Sequence, residues 1–181
     1  MNEISKYARV KTVLGEMVIC VCGGALIGAW FVGQKHFRGV GSSWIADARA
    51  PLLVRAASEL DEYFAGRRTE FDLPLAPVGT PFQRDVWQAI ARVPSGTTIT
   101  YGELAMRAGH SGSIRAAGAA TGRNPLTIFV PCHRIVGANG ALTGYAGVAG
   151  ARTVDIRDPL HAAGGLEACA TRTSHGSQHW R

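Results

Sequence analysis

The dipeptide Cys132-His133, directly after Pro131, joins a soft nucleophile to a base. A thiol attacks only as its thiolate, and an imidazole within reach, directly or through a water, can take its proton. Neighbouring side chains usually point in different directions, so adjacency alone is weak and the backbone must bend. Pro131 stops the short apolar run Ile128-Phe129-Val130 and puts the cysteine on a turn, where a thiol can reach a bound ligand. Zinc is the competing use of these residue types. It needs further Cys or His at ligand spacing, and residues 100–150 add only His110. Cys20 and Cys22 lie on one face of an expected strand, where core packing is favoured over a metal site with His36. No metal and no cofactor is expected.

The elements that must position this pair are well punctuated. Thr80-Pro81-Phe82-Gln83 has the form of a capping box with proline at the first helical position, and Phe82, Val86, Ile90 and Val93 follow on one face. A second box, Thr100-Tyr101-Gly102-Glu103, opens a short helix closed by Gly109. Ser113 is placed to cap a third, over residues 114–121, closed by Gly122. Two short helices and a brief turn have the proportions of a helix-turn-helix. The second is nearly bare of side-chain bulk, with Ala116, Ala117, Gly118, Ala119 and Ala120 between Arg115 and Arg123. It reads either as a close-packed core helix or as a slim helix that arginines steer into a nucleic-acid groove. Upstream, residues 10–21 and 25–32 read as a hairpin about Gly23-Gly24, followed by a helix from Pro51 to about Ala65 and an irregular linker at residues 73–79.

The composition is that of a globular protein of 181 residues, 46% apolar and 18% charged, neither disordered nor fibrous. Of the net charge of +6, residues 1–79 supply +1 (nine basic, eight acidic), residues 80–152 supply +5 (seven, two) and residues 153–181 none (three, three). The excess therefore sits on the helix-turn-helix and the cysteine, which makes nucleic acid a candidate partner. Apolar stretches at residues 17–22 and 25–32 are too short to span a bilayer. Four cysteines without scaffold spacing point to free thiols and the cytoplasm.

Taken together, Pro131-Cys132-His133-Arg134-Ile135-Val136, the Asn124-Pro125 step, Tyr101-Gly102-Glu103-Leu104-Ala105 and Arg115 closely resemble the O6-alkylguanine-DNA alkyltransferase family, also called methylated-DNA–protein-cysteine methyltransferases. Gly79-Thr80-Pro81-Phe82-Gln83 with Val86-Trp87, and Gly33-Gln34-Lys35-His36-Phe37, are similar to its bacterial members, so that the likeness spans roughly residues 10–147. The resemblance implies a mixed α/β (α+β) chain: a small sheet-plus-helix, ribonuclease H-like domain over residues 1–78, then a winged helix-turn-helix domain over residues 79–147. It implies a monomer that binds double-stranded DNA carrying O6-alkylguanine, flips the damaged base and takes the alkyl group onto Cys132 once. O4-alkylthymine is a further expected substrate. By position, His133 matches the base acting through a water and Asn124 the residue ordering the active-site turn. Tyr101 matches the donor to guanine N3 and Arg115 the side chain filling the vacated stack. Tyr145 matches a pocket wall, and the Ala146 amide the contact to O6. Arg123, Arg134 and Ile135 complete the expected DNA- and base-contacting set.

After Gly147 the pattern breaks. The family continues with a basic, leucine-rich helix whose acidic residue bonds the histidine. Here residues 148–181 hold six Val, Leu, Ile and Trp in 34 positions and three of the six histidines. A shifted reading frame and a divergent C-terminus both account for such text. Asp158 is the nearest substitute carboxylate, with Asp155 and Glu167 as others. If none reaches His133, the alternative is a weakly active or non-catalytic binder of alkylated DNA. The presence of Cys132 weighs against that alternative, and a cysteine hydrolase would leave Arg115, Tyr101 and the helix-turn-helix without a role.

Overall fold

In the computed structural model residues 4–140 are described. Tyr145, Ala146 and the segment 148–181, with its three substitute carboxylates, lie outside the described residues.

The chain opens as a meander, β1 (Lys6–Thr12), β2 (Gly15–Cys22) and β3 (Ala25–Phe31). The run 10–21, expected as one strand, is two. Val13 and Leu14 make the turn between them, and the Thr12 hydroxyl organises it, accepting from the Leu14 amide at 3.2 Å and donating to the Gly15 carbonyl at 2.8 Å. The second turn is the expected one, with Gly23 and Gly24 at φ 58° and 71°, a pair of left-handed positions that other residues enter at a cost. A two-residue strand, β4 (Ile45–Ala46), pairs parallel with β1, giving the order β3-β2-β1-β4. Helix α1 (Pro51–Phe64) covers one face of the sheet through Leu53, Ala56, Leu60 and Tyr63. On the other face the Trp30 ring lies over Gly28, stacked between Phe37 (5.3 Å) and Trp44 (6.1 Å). Trp30 and Trp44 thus form a half-buried cover over Val18 and Cys20, both fully buried.

Helices α2 (Pro81–Ala91), α3 (Tyr101–Arg107) and α4 (Ile114–Gly122) pack on one another, and β5 (Ile99–Thr100) pairs with β6 (Ile135–Val136). The first capping box is complete: the Gln83 amide donates to Thr80 Oγ1 and the Thr80 amide to Gln83 Oε1. The second is half made. Thr100 Oγ1 accepts from the Glu103 amide, but the Glu103 carboxylate turns to Arg107 one helical turn on. Ser113 stands at the start of α4 and its side chain caps nothing. Trp87 is the keystone of this half, 2% exposed, donating its indole N–H to the Ala120 carbonyl at 2.8 Å. A Trp so buried contributes about 3–5 kcal/mol against Ala. Gly79 makes room for it, since a Cβ there would stand 2.6 Å from the indole.

The two halves share one core. The free edge of β3 is taken up by two passing segments: the Leu26 amide donates to Pro74 and the Ala76 amide to Leu26, while Ala29 engages residues 125–127.

Candidate active site

The cysteine is reached through a sequence of tight turns that starts where α4 ends. Asn124, 4% exposed, bridges them: its Nδ2 donates to the Val130 carbonyl at 2.8 Å and its Oδ1 accepts from the Leu126 amide at 2.9 Å. The Val130 amide returns to the Leu126 carbonyl, and the Cys132 amide to the Val130 carbonyl, both at 2.8 Å. Residues 128–130 are buried as their composition requires, with Ile128 and Phe129 in a turn and Val130 bridged to Thr127. Ile128 sits at φ 76°, a left-handed conformation that is costly for a β-branched residue.

The sheet clamps the same segment from the other side. The Ala29 amide donates to the Pro125 carbonyl at 2.7 Å and the Thr127 amide to the Ala29 carbonyl at 2.9 Å. Buried Gln34 accepts on Oε1 from both the Thr127 hydroxyl and the Phe31 amide, each at 3.1 Å. Strand order, which local spacing does not reveal, thus brings β3 to the cysteine turn.

Cys132 and His133 stand on a 3-10 turn, Cys132–Arg134, 6% and 4% exposed. His133 Nε2 lies 3.3 Å from the Tyr63 hydroxyl at the end of α1. The sequence reading missed Tyr63: it is 70 positions away, and a tyrosine on a buried helix face reads as packing. Tyr101, at the start of α3, has its phenol pushed to a higher pKa, first by burial and then by its interaction with Cys132. It therefore stands near the thiol and keeps its proton at neutral pH, as a hydrogen-bond donor must. Arg115 and Arg123 are exposed, one in the first turn of α4 and the other just past its end.

Two expected contact residues are placed otherwise. Arg134 is 7% exposed and its guanidinium donates to the Val93 carbonyl at 2.7 Å, tying the cysteine turn to the end of α2. Ile135 is 1% exposed, in β6. In the described residues both side chains are buried, Arg134 held by its bond to Val93 and Ile135 by its place in β6. The thiol of Cys20 is pushed up to about 12, by burial above all and then by Cys22. Such a thiol is inert. Among the described residues no group of three or more His, Cys, Asp and Glu is arranged to hold a metal, and no helix is long and apolar enough to cross a membrane.

A thiol and an imidazole on one tight turn, a protonated phenol close enough to interact with the thiol and a slim helix flanked by exposed arginines together suit nucleophilic displacement on a ligand brought in by the helix-turn-helix. Comparison with known proteins adds to this. Residues 5–77 match the family model described as 6-O-methylguanine DNA methyltransferase, ribonuclease-like domain, and residues 81–157 that of the DNA binding domain. The chain is 54% identical over 147 residues to the constitutive methylated-DNA–protein-cysteine methyltransferase of Bacillus subtilis, covering 78% of this chain and 86% of that protein. It is 43% identical over 135 residues to the methylated-DNA–protein-cysteine methyltransferase of Mycobacterium leprae, covering 74% and 79%. Among solved structures, Mycobacterium tuberculosis OGT in complex with DNA aligns with a TM-score of 0.71 at 39% identity, covering 77% of this chain and 83% of that one.

Proposed function

Because this chain belongs to the 6-O-methylguanine DNA methyltransferase family, we propose that it repairs duplex DNA by taking the alkyl group of O6-alkylguanine onto Cys132, once per molecule. The arrangement that carries this reading is the meeting of Tyr101, from the helix-turn-helix, with Cys132, on the turn that Asn124 holds.

His133 takes the thiol proton, directly or through a water. The sulfur attacks the alkyl carbon, so that the S–C bond forms as the C–O6 bond breaks. The electron pair stays on the guanine, which then gains a proton. Negative charge develops across the base, and the un-ionised Tyr101 phenol, donating to N3, stabilises it where it appears. The base reaches the thiol only if it leaves the stack, at a cost of a few kcal/mol. Arg115 fills the gap, and Arg123 adds a cation for the backbone near a narrow groove. Tyr145 and the Ala146 amide complete the pocket in this reading. The thioether is inert to water, which makes the reaction stoichiometric. O4-alkylthymine would be accepted by the same displacement. The protein acts as a monomer in the cytoplasm, where its thiols stay reduced.

A duplex carrying a single O6-methylguanine, given in excess, tests this. Guanine should be restored once per protein molecule and then no further, and not at all by Cys132→Ala. Continued turnover, or no repair by folded protein, would contradict it.

A further inference from the structure

The buried hydroxyl of Tyr63 has a use beyond packing. The ring is already well held, 5.1 Å from Phe71 and 5.7 Å from Phe64, and a phenylalanine would fill the same space. At 2% exposure a hydroxyl costs free energy unless it finds a partner, and here that partner is the ring nitrogen Nε2 of a histidine, itself buried, from the far end of the chain. α1 is fixed on the sheet and its Glu59 is tied to Arg55 (3.0 Å), Arg68 (3.5 Å) and the Asp72 amide (3.0 Å), so the hydroxyl is presented from a rigid element.

We propose that Tyr63 is a positioning residue for His133: Nε2–H donates to the Tyr63 oxygen, which leaves Nδ1 as the nitrogen that takes the proton of Cys132. This rests on the reading of His133 as the base for Cys132. The imidazole has two nitrogens, and a base needs the right one unprotonated. A hydroxyl can donate to a bare Nε2 or accept from Nε2–H, and only the second arrangement leaves Nδ1 as the base; that bond becomes charge-assisted once the ring is protonated, favouring the imidazolium and hence the thiolate. Among the described residues Tyr101 from α3 interacts with Cys132, and Arg134, next to His133 in the chain, turns its guanidinium to Val93. The N-terminal half therefore contributes to the chemistry of a residue carried by the other half.

The test uses the full-length chain and Tyr63→Phe. Nitrogen-15 NMR of the His133 ring reports the tautomer. Iodoacetamide labelling of Cys132, followed by mass spectrometry of its own peptide across pH, reports the thiolate. Wild type is expected to carry its neutral-ring proton on Nε2. Tyr63→Phe should lose that preference and move the midpoint of Cys132 labelling up by about half to one pH unit, slowing labelling below the midpoint about three- to tenfold, the worth of one hydrogen bond. A packing role alone would move neither reading. A wild-type proton on Nδ1, or a folded Tyr63→Phe with tautomer and profile unchanged, overturns the proposal. If Tyr63→Phe does not fold, the wild-type tautomer decides. Failure of wild type to repair methylated duplex would instead strike the functional reading, and the tautomer would still be read independently.

Discussion

Replacing Asn124 by alanine removes two hydrogen bonds with unequal consequences. The Val130 carbonyl keeps a partner, because the Cys132 amide also donates to it. The Leu126 amide loses its acceptor, and Leu126 is fully buried. An orphaned buried N–H costs about 1–3 kcal/mol and the second bond about 1 more, so the variant should be destabilised by about 2–4 kcal/mol. In a chain of this size that corresponds to a loss of roughly 5–15 °C in Tm. The effect on chemistry should be larger than the effect on stability. Leu126, Val130 and Cys132 are linked in series by backbone hydrogen bonds, so slack at Asn124 is passed to the thiol. The assay pairs thermal unfolding with the rate of Cys132 labelling below the melting range. Asn124→Ala with a Tm within 2 °C or so of wild type and an unaltered labelling rate would refute the idea that this side chain sets the turn.

Other consequences follow from the same geometry. At Ile128, with φ 76°, the usual order of small residues should invert: Ile128→Gly should be more stable than Ile128→Ala by about 1–2 kcal/mol in denaturant titration, because only glycine escapes the left-handed penalty. Gly118→Ala should stabilise the protein by about 0.5–1 kcal/mol, since a helical Cβ there would meet the Tyr101 ring at an ordinary 3.7 Å; a lower denaturation midpoint would show that the contact is not tolerated. Cys20 adds a pH dependence. Its thiol is raised from 9.0 to about 12 in the fold, so its contribution is complete below pH 9 and is lost as pH rises through that window, with a slope of about 1.4 kcal/mol per unit. Urea unfolding at pH 8 and pH 10 should show a smaller loss for Cys20→Ala than for wild type.

What could be read from the sequence follows the range of the interaction. The Thr80–Gln83 box spans three residues and is made as read, as are the helix that Pro51 opens and the Gly23-Gly24 turn. Thr100–Glu103 is half made because Arg107 competes for the carboxylate, and a spacing rule carries no account of competitors. Val13-Leu14 escaped notice as a turn because both residues continue the apolar run, although Gly15 directly after them, at φ 124°, and the Thr12 hydroxyl shape the reversal. Cys132, His133, Asn124 and Tyr101 were legible as a motif, and the structure gathers them. Gln34, Thr127 and Tyr63 were not, since their roles depend on where β3 and α1 pass, contacts made across 70 or more positions. The burial of Arg134 and Ile135 was not legible either: motif membership gives no account of the Val93 carbonyl that holds the guanidinium or of the β5 pairing that takes in Ile135.

The measurement that bears most directly on the central claim is peptide mass spectrometry of the full-length protein after one equivalent of O6-methylguanine duplex. A single methyl group on the peptide bearing Cys132, in step with loss of the lesion, is the predicted result. Lesion loss with Cys132 unmodified, or methylation falling on Cys20 or Cys22 instead, would contradict the account.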